Sequence, residues 1–453
     1  MRRATPLTAA GLLGLALLAP TSAVSAAAET CRGEAATVVG TTPTVTGTEG
    51  RDVIVTGRAT QVLALGGDDL VCVVPDGTNY NVLSVDAGAG NDVVDTTGSS
   101  STYYIDTDLG AGADVLEGGA ASDAVIAGDP YFSAADVDTV RTGSGNDAVT
   151  TAGESDVVDL GPGTDRLTLL GGRTAPDGLL AGGDGEDTLK TTVRAGYGDT
   201  FDLAAGVYRH DGGATTAHFS SFEGLELDSY SADIGFHGTE GADRLTVSVL
   251  GVGPTTLAAF MLGGHDDVVL SEALLGGGSR IDAGAGEDRL VGARSSGSLA
   301  LDLKQQQLRV NDVPFPASGV ENAFLMAPDV LMAGDAQDNT LIALACTTTI
   351  TGGHGDDELI WDPDYYFEAY SFSCTKSAEM RGGPGNDSFY GSPGNDRLHG
   401  DGDRDTIRGG AGNDRIHGGR GADRLLGEGG RDTADGNAGR DRCVAERERR
   451  CER

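Results

Sequence analysis

One apolar residue in every nine sets the pattern at the C-terminal end of this chain. From Gly382 to Val444 seven units run without a break: GGPGNDSFY, GSPGNDRLH, GDGDRDTIR, GGAGNDRIH, GGRGADRLL, GEGGRDTAD and GNAGRDRCV. Their eighth position holds Phe389, Leu398, Ile407, Ile416, Leu425, Ala434 and Cys443, and their sixth is always Asp. Gly opens each unit and allows tight or left-handed backbone, so each unit reads as a turn followed by a short strand. No 3.6-residue apolar period runs along the chain. The pattern predicts an all-β protein of many short strands.

The same beat, degraded, reaches back to about Thr46. Its upstream copies place Asp52, Asp69, Asp92, Asp114, Asp147, Asp165, Asp187, Asp243, Asp267, Asp288, Asp338 and Asp357 at the acidic position. Two wider gaps, from Asp187 to Asp243 and from Asp288 to Asp338, share a pattern. FDLAAGVYRHDG with SFEGLEL fills the first, and LALDLKQQQLRVND with GVENAFL fills the second. Both read as two strands around a polar turn and then a return strand, either as hairpin inserts or as coils lacking the turn motif. The chain divides into a leader at 1–28, an acidic irregular body at 29–381, the regular array at 382–444 and a charged tail at 445–453. A single continuous solenoid and a body followed by a separate roll both fit.

Charge narrows the partners. The net charge is −37, yet residues 382–453 hold 13 Arg against 14 Asp and Glu, so nearly all of the excess lies in the body. Such a surface repels nucleic acid and anionic membranes and attracts cations. Arg2 and Arg3, the short apolar run Gly11 to Ala19 and the small residues ending at Ala26-Ala27-Ala28 fit a secretory signal peptide. The run is too short to span a bilayer, and no later segment is long enough. The expected protein is extracellular, free or attached to the cell surface, and monomeric. In that setting six Cys suggest disulfides. Proximity favours Cys31–Cys72, Cys346–Cys374 and Cys443–Cys451, the last tying the tail over the open end.

The array resembles the RTX, or hemolysin-type, calcium-binding repeat family, whose motif is GGxGxDxUx with U a large apolar residue. The resemblance implies a right-handed parallel β-roll in which two repeats make one coil and calcium lies between stacked turns. Calcium takes six to eight hard oxygen ligands, which turn carbonyls and Asp carboxylates can supply. Carried onto this chain, the ligand-bearing turns are Gly382, Gly383, Gly385 and Asp387; Gly391, Gly394 and Asp396; Gly400, Asp403 and Asp405; Gly409, Gly410, Gly412, Asn413 and Asp414; Gly418, Gly419, Gly421 and Asp423; then Asp432 and Asp441. Stacking would pair Asp387 with Asp405, Asp396 with Asp414, Asp405 with Asp423, Asp414 with Asp432 and Asp423 with Asp441, for up to five ions. Phe389, Ile407, Leu425 and Cys443 would form one inward ladder, and Leu398, Ile416 and Ala434 the other. Asp387, Asp414 and Asp423 sit in full motifs. Ser392 is a mild departure, Asp403 in place of Gly strains its turn, and Arg431 and Arg440 weaken the last two.

Other chemistry is poorly supported. GxSxG and HExxH are absent. His399 and His417 share a face one coil apart but lack a third metal ligand, so they read as exposed strand ends. The leading expectation is a secreted, non-enzymatic calcium-binding protein with a structural or adhesive role toward a surface or extracellular polymer. The alternative is a polysaccharide lyase or epimerase on the body.

Overall fold

A computed structural model describes residues 29–452, apart from 75–81, 129–135, 152–154, 171–177, 195–197, 211–214, 252, 273–274 and 362–371. The leader at 1–28 lies outside the described residues. Among those residues no helix is long and apolar enough to cross a membrane.

The chain winds as a parallel β-solenoid with two faces. The first ladder starts at Thr44–Thr46 and ends at Arg442–Val444, each strand pairing in parallel with the strand one coil away. The second starts at Val38–Val39 and ends at Arg447–Arg449. Both ladders cross Met380 without a break: Ser377–Pro384 pairs with Thr347–Thr351 and Arg397–Gly402 in the second, and Glu358–Trp361 pairs with Ser388–Tyr390 in the first. Body and array therefore form one stack.

Register follows the apolar beat. On the first face Leu359, Phe389, Ile407, Leu425 and Cys443 lie directly opposite one another in successive coils. On the second face Met380, Leu398, Ile416 and Ala434 do the same. These side chains are fully buried, except the half-buried Cys443. Side chains alternate in and out along a strand, so a one-residue slip would expose the whole row.

The two gaps are three-stranded antiparallel meanders. Gly198–Asp202, Val207–His210 and Thr215–Ser220 form the first, and Ser298–Asp302, Gln307–Val310 and Val313–Ser318 the second. Each is spliced into the second ladder by parallel pairings at its two edges. SFEGLEL and GVENAFL are not part of them: Gly224–Tyr230 and Asn322–Met326 belong to the first ladder. The third meander strand was not legible, because VPFPAS carries two Pro and the apolar alternation in TTAHFS is confined to Ala217 and Phe219.

The three disulfides Cys31–Cys72, Cys346–Cys374 and Cys443–Cys451 are present, with Cα separations of 5.5, 5.8 and 5.8 Å. The segment at 445–452 is more than a tail. It adds a last strand at Arg447–Arg449, and the Glu452 N–H donates to the Asp441 carbonyl at 2.8 Å.

Candidate metal columns

Each array Asp ends a Gly turn just before a strand, so stacking the strands stacks the carboxylates. Oδ1 of each, except Asp396, accepts the backbone N–H of the Asp one coil earlier; Asp396 takes that of Ala378. The bonds run Asp387 to Asp405 (2.9 Å), Asp405 to Asp423 (3.0 Å) and Asp423 to Asp441 (3.0 Å) beside the first ladder. Beside the second they run Asp396 to Asp414 and Asp414 to Asp432, both 2.9 Å. These are the five pairs that the nine-residue register predicts.

Upstream, one column flanks each ladder, and the two overlap between Asp123 and Asp156. Asp52, Asp69, Asp92, Asp114, Asp138 and Asp156 make a column beside the second ladder. At Asp123 a new column begins beside the first ladder and runs through Asp147, Asp165 and Asp187. It resumes after each meander, through Asp243, Asp266 and Asp288, then through Asn339, Asp357 and Asp387. The sequence register was off by one at two turns. Asp266 and Asn339 occupy the column, not Asp267 and Asp338, because the inward residues two places on are Val268 and Leu341. Asp267 instead pairs with Arg289 at 2.7 Å on the outer side of its strand. Asp123, Asp138 and Asp156 were missed for want of complete Gly turns, although an apolar residue follows each by two.

At both meanders Glu223 and Glu321 stand in the column and accept the N–H of Asp187 (2.9 Å) and Asp288 (2.8 Å). Glu446 does the same for Asp432 at the C-terminal end, at 2.8 Å.

The other carboxylate oxygen is the informative one. Among the described residues, fifteen column Asp have a buried Oδ2 without a hydrogen-bond partner, including Asp387, Asp405, Asp414, Asp423, Asp432 and Asp441. Burying an unpaired ionised oxygen is costly, and such groups are held by a partner or a cation. The first Gly of the motif makes room for it. A Cβ on Gly382 would lie 1.9 Å from Asp387 Oδ2, and one on Gly400 2.0 Å from Asp405 Oδ2. The fourth position brings the coils together, since a Cβ on Gly385 would sit 1.7 Å from the Gly355 carbonyl oxygen. Gly391, Gly394, Gly409, Gly412, Gly418 and Gly421 are equally crowded by carboxylates or by the carbonyls of the neighbouring coil. Gly383, Gly410 and Gly419 take φ of 119°, 95° and 123° at position two, and Asp403 takes 67° at position four, where a side chain is disfavoured. Asn413 donates its N–H to Asn395 Oδ1 in a shallower, exposed row.

Electrostatics agrees. Burial, reinforced by like charges one coil away, pushes Asp387 up to about 6, Asp414 to about 7 and Asp405 to about 8. Asp114, Asp165, Asp266 and Asp357 rise to about 7 for the same reasons. These sites hold negative charge against its own repulsion, which a cation relieves. Among the described residues no three His, Cys, Asp or Glu side chains converge. Calcium, with hard oxygen ligands, fits this arrangement if main-chain carbonyls or water complete the shell, and a metal seeking three nitrogen or sulfur ligands does not. The His399 and His417 rings stack 4.9 Å apart on the outer face of the second ladder.

No curated protein matches the sequence. A family model describing the RTX calcium-binding nonapeptide repeat matches four segments, residues 109–129, 133–167, 381–416 and 408–443. Those segments lie on the columns just described, and the chain thus carries calcium-binding RTX repeats wound into a parallel β-roll.

Proposed function

We propose that the protein is secreted, that its columns order when calcium neutralises them, and that it has a structural or surface-adhesive role. The observation that carries this reading is the row of buried, unpartnered Oδ2 atoms. In the array the core is thin, with about one inward residue per nine, so apolar burial there, at about 25 cal/mol per Å², barely offsets chain entropy. Ion binding would supply the remainder, and folding and binding would be coupled. The leader-like residues at 1–28 and three disulfides support an oxidising, extracellular destination. The most deeply buried acids are engaged in the columns, which favours a scaffold over a catalyst.

Circular dichroism and equilibrium dialysis of the mature chain test the coupling. The β signal should rise with calcium, collapse with chelator and track the bound ion. An unchanged spectrum with no ion retained would refute the reading. Release of the protein from a cell-wall fraction by chelator would support the surface role, whereas recovery only from the medium would speak against it.

A further inference from the structure

The turns fall into two states. In each of the fifteen turns whose Oδ2 is unpartnered, the residue four places before the Asp has φ between 66° and 123°. The turn of Asp123 lacks positive φ at Gly119 and takes its contact from the Thr96 hydroxyl of another coil. Four further turns differ in a common way: those ending at Asp52, Asp243, Asn339 and Asp396. Here the corresponding residues are Thr48, Thr239, Asp335 and Ser392, and none takes positive φ.

In these turns position two folds onto the column residue. The Ser392 N–H donates to Asp396 Oδ2 at 2.6 Å, its hydroxyl donates to Oδ1 at 2.7 Å, and the hydroxyl oxygen accepts the Gly394 N–H at 3.1 Å. Thr48 and Thr239 make equivalent contacts. Their N–H groups lie 2.7 and 2.5 Å from Oδ2 of Asp52 and Asp243, and their hydroxyls 2.9 and 3.0 Å from the same atoms. The Asp335 N–H donates to Asn339 Oδ1 at 3.0 Å, so even a neutral column residue is closed in this way. An open turn sends this donor elsewhere: the Gly353 N–H reaches the Gly382 carbonyl of the next coil at 2.9 Å.

The closed turns share a place as well as a geometry. Each begins a run of column residues. Beneath Asp52 the partner is the Thr37 hydroxyl, and beneath Asp396 it is the Ala378 N–H. Asp243 and Asn339 are the first column residues after Glu223 and Glu321. A cation held between stacked turns needs oxygens from both, and the first turn of a run has no such turn beneath it.

We propose that position two of the motif decides whether a turn takes calcium. Ser or Thr there closes the turn onto its own carboxylate and sets the first boundary of the runs that begin at Asp52, Asp243 and Asp396. β-Branched Thr is poorly suited to positive φ, its hydroxyl bonds the oxygen that an ion would otherwise contact, and the Ser392 hydroxyl holds Oδ1 while its N–H takes Oδ2. This rests on the calcium reading above and assigns to it which turns are filled.

Counting bound calcium by native mass spectrometry at saturating ion tests the assignment. Ser392→Gly should bind one more calcium than the wild type, because it opens a turn already stacked under the open turn of Asp414. Thr239→Gly should gain one in a separate part of the stack, which guards against misfolding of the first variant. Gly410→Ser should lose at least one. Folded Gly variants with the wild-type count, or a Gly410→Ser protein that keeps every ion, would overturn the assignment while leaving calcium binding intact. A wild type that binds none would overturn the calcium reading and this assignment with it.

Discussion

A column Asp has two oxygens with separate duties. Oδ1 completes a backbone hydrogen bond between coils, and Oδ2 carries exposure to a cation. Asp405→Asn separates them, since an amide oxygen can still accept the Asp387 N–H now held at 2.9 Å. Asp405 is fully buried, and burial with repulsion from Asp387 and Asp423 pushes it up to about 8. Ionised in the unfolded chain at neutral pH, it must take up a proton on folding in the absence of a cation, which opposes folding by on the order of a few kcal/mol. The Asn variant should be the more stable protein in chelator and the weaker calcium binder. Thermal melts with chelator and with calcium check this, and a variant less stable in both would show that the charge was not the burden.

At the scale of strands and turns, side-chain length is matched to the span it must cross. Glu223 and Glu321 follow the short returns from the two meanders, where no Gly-rich turn lifts the chain toward the column. Their extra methylene lets the carboxylate meet the N–H of Asp187 and Asp288. Glu321→Asp should leave the buried Asp288 N–H unpaired and cost about 1–3 kcal/mol, while Glu321→Gln keeps the acceptor and should cost less. Chemical denaturation in calcium ranks the two, and equal losses would deny the spanning role. Much of this scale was legible beforehand. The spacing of Phe389, Ile407 and Leu425 gave their ladder, because an inward apolar residue every 18 positions has few other uses. The Glu positions were not legible, since nothing local distinguishes SFEGLEL from any acidic strand start. Nor was the start of a first-ladder column at Asp123 while the second-ladder column still runs to Asp156, because a turn motif does not state which face follows it. The motif spacing also could not tell Asp266 from Asp267, and only the inward position of Val268 resolves them. Ser392, read as a mild departure, proved to change the bonding of Asp396 altogether.

Over the whole molecule the columns make stability a function of both pH and calcium. An Asp in the unfolded chain titrates near 3.8, whereas Asp92, Asp138, Asp387 and Asp396 are raised to about 6, and Asp114, Asp123, Asp165, Asp266, Asp357 and Asp414 to about 7. Between those values the folded state binds more protons than the unfolded one. Without calcium, stability is therefore greatest below the unfolded value and falls as pH rises from about 4 toward 7, after which the full burden of ionisation is present. Calcium reverses the slope, because it needs the ionised carboxylates and protons compete with it. In chelator the β signal and melting temperature should be higher at pH 5 than at pH 8. In saturating calcium the pH 8 sample should be the more stable. The single-sign charge of the body adds long-range repulsion that salt screens, so monovalent salt alone should raise the calcium-free melting temperature modestly. A pH series at matched ionic strength separates that screening from proton uptake in the columns. If the calcium-free melting temperature were flat from pH 5 to pH 8 in that series, the stacked carboxylates would not be what holds the calcium-free protein close to unfolding.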